Sequence, residues 1–301
     1  MSLNPIVPSS FPAVIDSSMR SQFVACPHSF FRRYMQGLQR PGTSVHLHFG
    51  ACFADGIAAF RRAFYLDNQP TDIALGIGAA AIIRQWGDLN FDHPTKHLQG
   101  CLGALEAYVA HYPPATDHVK PLIINGAIHT EFNFAIPLPI RHPVTDEPLI
   151  YAGRFDMLGV LHGQTKAIVD EKTTTQLGDT WGNQWRLRAQ FTGYAWGAAE
   201  FGHDIGSVIV RGISILKRGF GHAEVIEQRP QWMIAEWKTQ LLRDIRRMIT
   251  AWQEEVWDKS LDTACSSYGG CTFLDLCTSE HPDRWLEDYE VVHYDPLGSV
   301  E

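Results

Sequence analysis

Apolar residues recur at the three- and four-residue spacing of a buried helix face through the first third of the chain, and at two-residue spacing through its middle. Asp16 and Ser17 stand where a helix cap belongs, ahead of Phe23, Phe30, Phe31 and Tyr34, and predict a helix from 16 to about 39 that Pro41 and Gly42 break. Further helices are predicted over 51–65, over 72–86, where Ile73, Ile77, Ala80 and Ile83 keep helical spacing, and over 98–111, ended by Pro113 and Pro114. The texture then changes. Residues 123–136 read as a strand, followed by a turn-rich stretch over 137–148; 149–160 and 166–172 read as two more strands joined by a tight turn at His162 and Gly163. A helix fits 184–200, strands fit 207–216 and 223–228, and Pro230 opens a long helix toward Trp257.

A helical start followed by strand, strand, strand, helix, strand predicts an α/β chain: a mixed β-sheet core flanked by helices, with a cysteine-bearing C-terminal tail. The expected regions are a helical 1–120, a core at 121–258, and a segment 259–301 that packs on the N-terminal region. With 45% hydrophobic residues among 301, the chain can bury a sizeable core. There is no internal repeat or low-complexity segment. Residues 1–12 hold no basic stretch followed by an apolar run, and no apolar stretch reaches the roughly 20 residues that span a bilayer. The expectation is a soluble, cytoplasmic protein with no membrane partner. In that compartment thiols stay reduced, and grouped cysteines point to metal rather than disulfides.

A formal charge of −8 argues against coating nucleic acid by charge alone. Local grip on a few phosphates is still available from Arg32, Arg33 and Arg40, from Lys217 and Arg218, and from Arg243, Arg246 and Arg247.

Candidate chemistry lies in the middle strands. Residues two apart on a strand share a face, so in Val169-Asp170-Glu171-Lys172-Thr173 the side chains of Asp170 and Lys172 point one way and Glu171 the other. If the preceding strand is its hairpin neighbour, Asp156 in Gly153-Arg154-Phe155-Asp156 comes near Asp170, and two such carboxylates repel unless a cation lies between them. A hard divalent ion such as Mg2+ accepts one or two carboxylates plus water and substrate phosphate. A lysine ammonium beside it can stabilise charge developing on phosphorus. Glu131, on the strand before, is a further candidate ligand.

These residues, followed by Gln190-Phe191-Thr192-Gly193-Tyr194, resemble the PD-(D/E)XK nuclease superfamily. More narrowly, they resemble its RecB-like branch of phage and bacterial exonucleases, which includes CRISPR-associated adaptation enzymes. The resemblance implies a restriction-endonuclease-like core. It implies Asp156 and Asp170 as side-chain ligands of Mg2+ or Mn2+, Glu171 as a ligand through its backbone carbonyl, and Lys172 as the catalytic lysine. Gln190 and Tyr194, four apart on one helix face, would position the lysine and the phosphate. The sequence departs from the family where a histidine ligand is often found: Gly50 is followed by Ala54 and Asp55, with His46 and His48 upstream.

Cys265, Cys271 and Cys277 stand at even spacing near the C-terminus, and Cys26 lies far upstream. The gaps miss the close pairs of common zinc modules and the bacterial ferredoxin run. One early cysteine with a late trio resembles the iron–sulfur staple of RecB-type nucleases, which implies a 4Fe–4S cluster on Cys26, Cys265, Cys271 and Cys277; zinc is the other metal considered. Cys52 and Cys101 fall in apolar helical contexts and read as core residues.

The function implied is a metal-dependent DNA exonuclease acting on single-stranded or resected ends in recombination, repair or phage replication, with recombination or helicase proteins as possible partners. The alternative is a non-catalytic iron–sulfur DNA-binding or scaffold protein with a degenerate nuclease fold.

Overall fold

The structure, a computed structural model, describes residues 11–266 and 270–298. Residues 1–10, on which most of the expectation of no signal peptide rests, lie outside the described residues. The chain groups into two compact units, one of Met1–Gly42, Phe134–Gly153 and Ala235–Glu301, the other of Thr43–Asn133 and Arg154–Ile234.

In the first unit, β1 (Val14–Ile15) runs parallel to Ile150 and Tyr151, and Asp16 caps α1 (Ser17–Ala25) by accepting the Met19 N–H at 2.8 Å. The single helix expected to residue 39 breaks at Cys26. Cys26 is extended, at φ −160°, because the ring of Pro27 disfavours helical backbone in the residue before it. A short α2 (Pro27–Phe30), a π-helical turn (Phe31–Met35) and β2 (Leu38–Gln39) follow.

The second unit opens with α3 (Val45–Tyr65), which starts ahead of the expected residue 51, then α4 (Thr71–Trp86) and α5 (Leu98–His111). Their apolar faces, including Phe49, Phe53, Ile57, Ile82, Trp86 and Leu105, bury in one cluster. Next come β3 (Val119–Pro121), β4 (Ile123–Ile124) and β5 (Ala127–Ile128). The one strand expected at 123–136 is therefore interrupted. Asn125 and Gly126 take φ of 52° and 75°, the left-handed pair of a two-residue hairpin.

Strand β6 (Thr130–Arg141) runs on into the stretch expected to be turns, of which 142–147 does turn before the next strand. Phe134, Ile136, Leu138 and Ile140 alternate inward, and Pro137 and Pro139 take the outward positions, where a missing N–H is tolerated on a strand paired to one neighbour. Strands β7 (Pro148–Leu161) and β8 (Thr165–Thr174) form the expected hairpin, with His162 and Gly163 at φ 50° and 71°. Their ladder runs antiparallel from Leu161 opposite Thr165 to Met157 opposite Val169.

The segment predicted as one helix at 184–200 is a 3₁₀ turn (Trp181–Trp185) followed by α6 (Ala189–Glu200). The chain returns as β9 (Ser207–Leu216), parallel to β8, and β10 (Gly219–Gln228) pairs antiparallel with β9 along its length. Parallel and antiparallel pairs together make the mixed sheet that the alternation predicts, in an α/β fold flanked by helices.

Helix α7 (Gln231–Glu254) contributes Trp237, Leu241, Ile245 and Met248 to the first unit's core. The tail has secondary structure of its own. It holds α8 (Thr263–Ser266), α9 (Leu274–Thr278) and β11 (Glu290–Val291), which pairs with β2, while Phe273 and Leu276 pack with Leu38. Among the described residues no helix is long and apolar enough to cross a membrane.

Candidate active site

Continuing the β7–β8 register one step beyond Met157 and Val169 brings Asp156 opposite Asp170. At this point the ladder gives way to a side chain: the backbone N–H of Glu171 donates to Asp156 Oδ2 at 2.8 Å. Gly153, three residues before Asp156, is required sterically, since a Cβ there would meet the Phe134 ring at 2.5 Å.

Asp170 is 2% exposed, and the Lys172 ammonium lies 2.5 Å from its Oδ2. Burial and the neighbouring Asp170 hold the Asp156 carboxyl well above the usual carboxylate range. Burial also raises Asp170, with Lys172 opposing it. For Lys172 burial alone would lower the pKa, but the two carboxylates outweigh it and keep the ammonium charged. The site is thus two neighbouring acids, Asp170 buried and Asp156 partly buried, with one ammonium on Asp170.

Glu171 points to the other face of β8, as the alternation requires. Its carboxylate accepts from Arg61 of α3 and from the Tyr108 hydroxyl of α5, the latter at 2.9 Å. Burial alone would raise Glu171, but the Arg61 charge and hydrogen bond outweigh it, and the group stays ionised. Glu131 is turned to Arg154 at 3.0 Å and has φ +52°, in the left-handed region. Gln190 Nε2 donates to the Tyr194 hydroxyl at 2.7 Å, and the Tyr194 ring packs on Phe155, the neighbour of Asp156.

Among the described residues no three His, Cys, Asp or Glu side chains converge as a metal ligand set. At the acidic site Glu171 is engaged by Arg61 and Glu131 by Arg154, and Cys26, Cys265, Cys271 and Cys277 share a cavity without converging as a ligand set. Two carboxylates at the edge of a ladder, Asp170 buried and Asp156 partly buried, with Lys172 the one ammonium on them, still suit a hard divalent ion that keeps most of its water. Asp156 and Asp170 would hold it, with the Glu171 carbonyl as the backbone candidate. His48, near the family's extra-ligand position, instead sits against Cys52, Trp86 and Phe91. Asp55 has its pKa raised by burial, with Arg154 opposing.

The sequence pattern did not single out the residues that surround Glu171. Arg211 on β9 bonds Asp117 with two nitrogens, at 2.7 and 2.8 Å, and Glu224 at 2.7 Å, and donates to Tyr108. A signal was present: Arg211 interrupts the apolar run from Val208 to Ile213, and Arg61 follows Phe53, Ile57 and Phe60 on one helix stripe. A charge inside such a pattern has to find a partner.

Cys26, Cys265, Cys271 and Cys277 line one cavity of about 30 Å³ with His28 and Lys259. All four are free and partly buried, and Cys271 N–H bonds the Cys265 carbonyl at 2.9 Å. Burial pushes the Cys277 thiol up; neighbouring Cys271 and Cys26 add to this, and Lys259 and Arg32 oppose it. Cys52 and Cys101 are fully buried core residues, as expected. Of the basic clusters, Arg40 is paired to Asp275 at 2.5 Å and Arg33 to Gln39 at 2.9 Å.

No curated protein matches this sequence. Among solved structures, a candidate exonuclease from Eubacterium rectale aligns at 14% identity and a TM-score of 0.47, over 85% of this chain and 88% of that one. A second, SSO0001, aligns at 12% identity and a TM-score of 0.32, over 75% of this chain and 84% of that one. The family model of the PD-(D/E)XK nuclease superfamily matches residues 18–278, and across that span run both aspartates, the lysine and the Gln190–Tyr194 pair. This chain belongs to the PD-(D/E)XK nuclease superfamily.

Proposed function

We propose that this nuclease is a Mg2+- or Mn2+-dependent deoxyribonuclease that hydrolyses phosphodiester bonds at DNA ends. The observation that carries the reading is the pair Asp156 and Asp170, one partly buried and one fully buried, brought together across the β7–β8 hairpin with the Lys172 ammonium on Asp170. A bound divalent cation would supply Lewis acidity and positive charge at the scissile phosphate. Lys172 meets the negative charge that grows on the phosphate oxygens. Gln190 and Tyr194 orient the groups on the α6 side.

The preference for ends, the exonuclease mode and a role in recombination, repair or phage replication rest on the likeness of the motif order to RecB-type exonucleases. So does the cofactor we assign to Cys26, Cys265, Cys271 and Cys277, a 4Fe–4S cluster, with zinc as the competitor. Its support is that four free cysteines from both ends of the sequence line one cavity.

The test is labelled DNA incubated with Mg2+, Mn2+ or EDTA, using wild type, Asp170→Ala and Lys172→Ala. Expected is cation-dependent release of nucleotides from linear DNA, with closed circles intact and both variants inactive. Wild type that cuts nothing in either cation would favour the scaffold alternative. Cleavage of closed circles would replace end dependence with endonuclease action.

A further inference from the structure

The strand that carries Asp170 and Lys172 is held unevenly. On one side, β8 keeps its parallel ladder to β9 through Asp170–Val210, Lys172–Gly212 and on to Thr174. On the other, the ladder to β7 stops at Val169. Beyond that point the Glu171 side chain adds a directional grip on β8 to those of β9 and of the Glu171 N–H on Asp156. The 4%-exposed Glu171 carboxylate bonds Arg61 and the Tyr108 hydroxyl. That hydroxyl donates to Glu171 and accepts from Arg61 at 3.1 Å and Arg211 at 3.2 Å, so its one donor and two acceptor sites are filled. Arg211 is in turn fixed by Asp117 and Glu224. Directional, charge-assisted bonds therefore tie α3, α5 and β9 to one residue of β8.

Because side chains alternate, any roll of β8 about its axis moves Glu171 and the Asp170–Lys172 pair together. We infer that Arg61 is a positioning residue of the nuclease site. By pinning Glu171 on the helix-facing side of β8, it sets the direction of the Asp170 carboxylate and of the Glu171 carbonyl on the cation-binding side. It also neutralises a carboxylate that would otherwise add a third negative charge beside the two aspartates. The inference rests on the metal-dependent reading above.

The test measures binding of Mn2+ alone, by the EPR signal of the free ion, to the full chain without DNA, alongside melting in EDTA. The variants are Arg61→Met, the double Arg61→Met/Glu171→Met, and Tyr108→Phe. Loss of outer-shell partners typically weakens metal binding about 10- to 100-fold. Arg61→Met is expected in that range. The double variant replaces a buried ion pair by apolar side chains of similar length, which restores melting but not the direction of the strand. It is therefore expected to melt near wild type and still bind Mn2+ about tenfold more weakly. Tyr108→Phe keeps the packing, loses one donor to Glu171, and is expected to fall between. A stable double variant that binds Mn2+ as wild type does would reduce Arg61 to a structural role and overturn the inference. Wild type that neither binds Mn2+ nor cleaves DNA would overturn the nuclease reading itself, and this inference with it.

Discussion

Asp156 accepts the backbone N–H of Glu171 at 2.8 Å, so the first carboxylate of the site is held by the strand that carries the second. The two acids cannot drift apart to relieve their repulsion, and the Lys172 ammonium on Asp170 offsets it incompletely. A site built this way is destabilised until a cation enters it.

Asp156→Asn should therefore stabilise the metal-free protein while removing cleavage. The amide oxygen can still accept the Glu171 N–H, and one of two opposed charges is gone. In EDTA the melting midpoint should rise by about 2 °C or more for each kcal/mol relieved. Adding Mn2+ should raise the wild-type midpoint and leave the variant's unmoved. A scan in which Mn2+ protects both proteins equally would place the cation elsewhere.

Tyr194→Phe should separate catalysis from folding. The ring stays packed on Phe155, whereas the Gln190 amide loses the acceptor it holds at 2.7 Å. Stability should fall by about 1 kcal/mol, the net worth of one hydrogen bond. A well-placed group near the reacting atoms is worth more, so kcat should drop about 100-fold at least. Wild-type kcat in this variant would remove Tyr194 from the site.

Arg211 should be among the least replaceable residues of the second unit. It lies 1% exposed and bonds two acids, Asp117 with both ends of its guanidinium. Arg211→Lys cannot reproduce that geometry, and Arg211→Met strips Asp117 of its bidentate partner and leaves Glu224 with His118 alone, at a cost of about 3–5 kcal/mol by chemical denaturation.

Acid should weaken this network in a predictable direction. Burial alone would raise Asp117, but the hydrogen bond and charge of Arg211 outweigh it and hold the group below its ordinary 3.8. A depressed carboxylate contributes stability that is fully present above its unfolded pKa and is lost as pH falls through its folded one. Asp117→Asn should thus cost most at neutral pH, with the gap to wild type closing below about pH 4. A constant gap across that range would break the assignment.

The cysteine cavity makes a separate prediction. Protein purified without oxygen should be brown and carry iron, and Cys271→Ser should lose both colour and stability. A cluster joining Cys26 to the C-terminal trio closes a loop of most of the chain, so its loss frees a large unfolded ensemble. Colourless wild type carrying zinc would exchange the cluster for a single ion.

Where one stretch of chain decides its own conformation, the sequence suffices. Helix α5 falls at 98–111 as its apolar spacing indicates, and the β7–β8 hairpin turns at His162 and Gly163. Two-residue alternation on β8 puts Asp170 and Lys172 on one face and Glu171 on the other. Asn125-Gly126 and Cys26-Pro27 carry a local hairpin signal and a helix break inside longer stretches of regular apolar spacing, and the structure follows the local signal at both.

Tertiary structure alone decided the partners. Arg61 reaches Glu171 across 110 residues, Arg211 reaches Asp117 across 94, and Glu131 turns to Arg154. Periodicity tells which face of an element is buried, because burial repeats with the backbone. It cannot tell which buried charge meets which, because that depends on how separate elements pack, and a charged residue in an apolar stripe announces a need without naming what meets it.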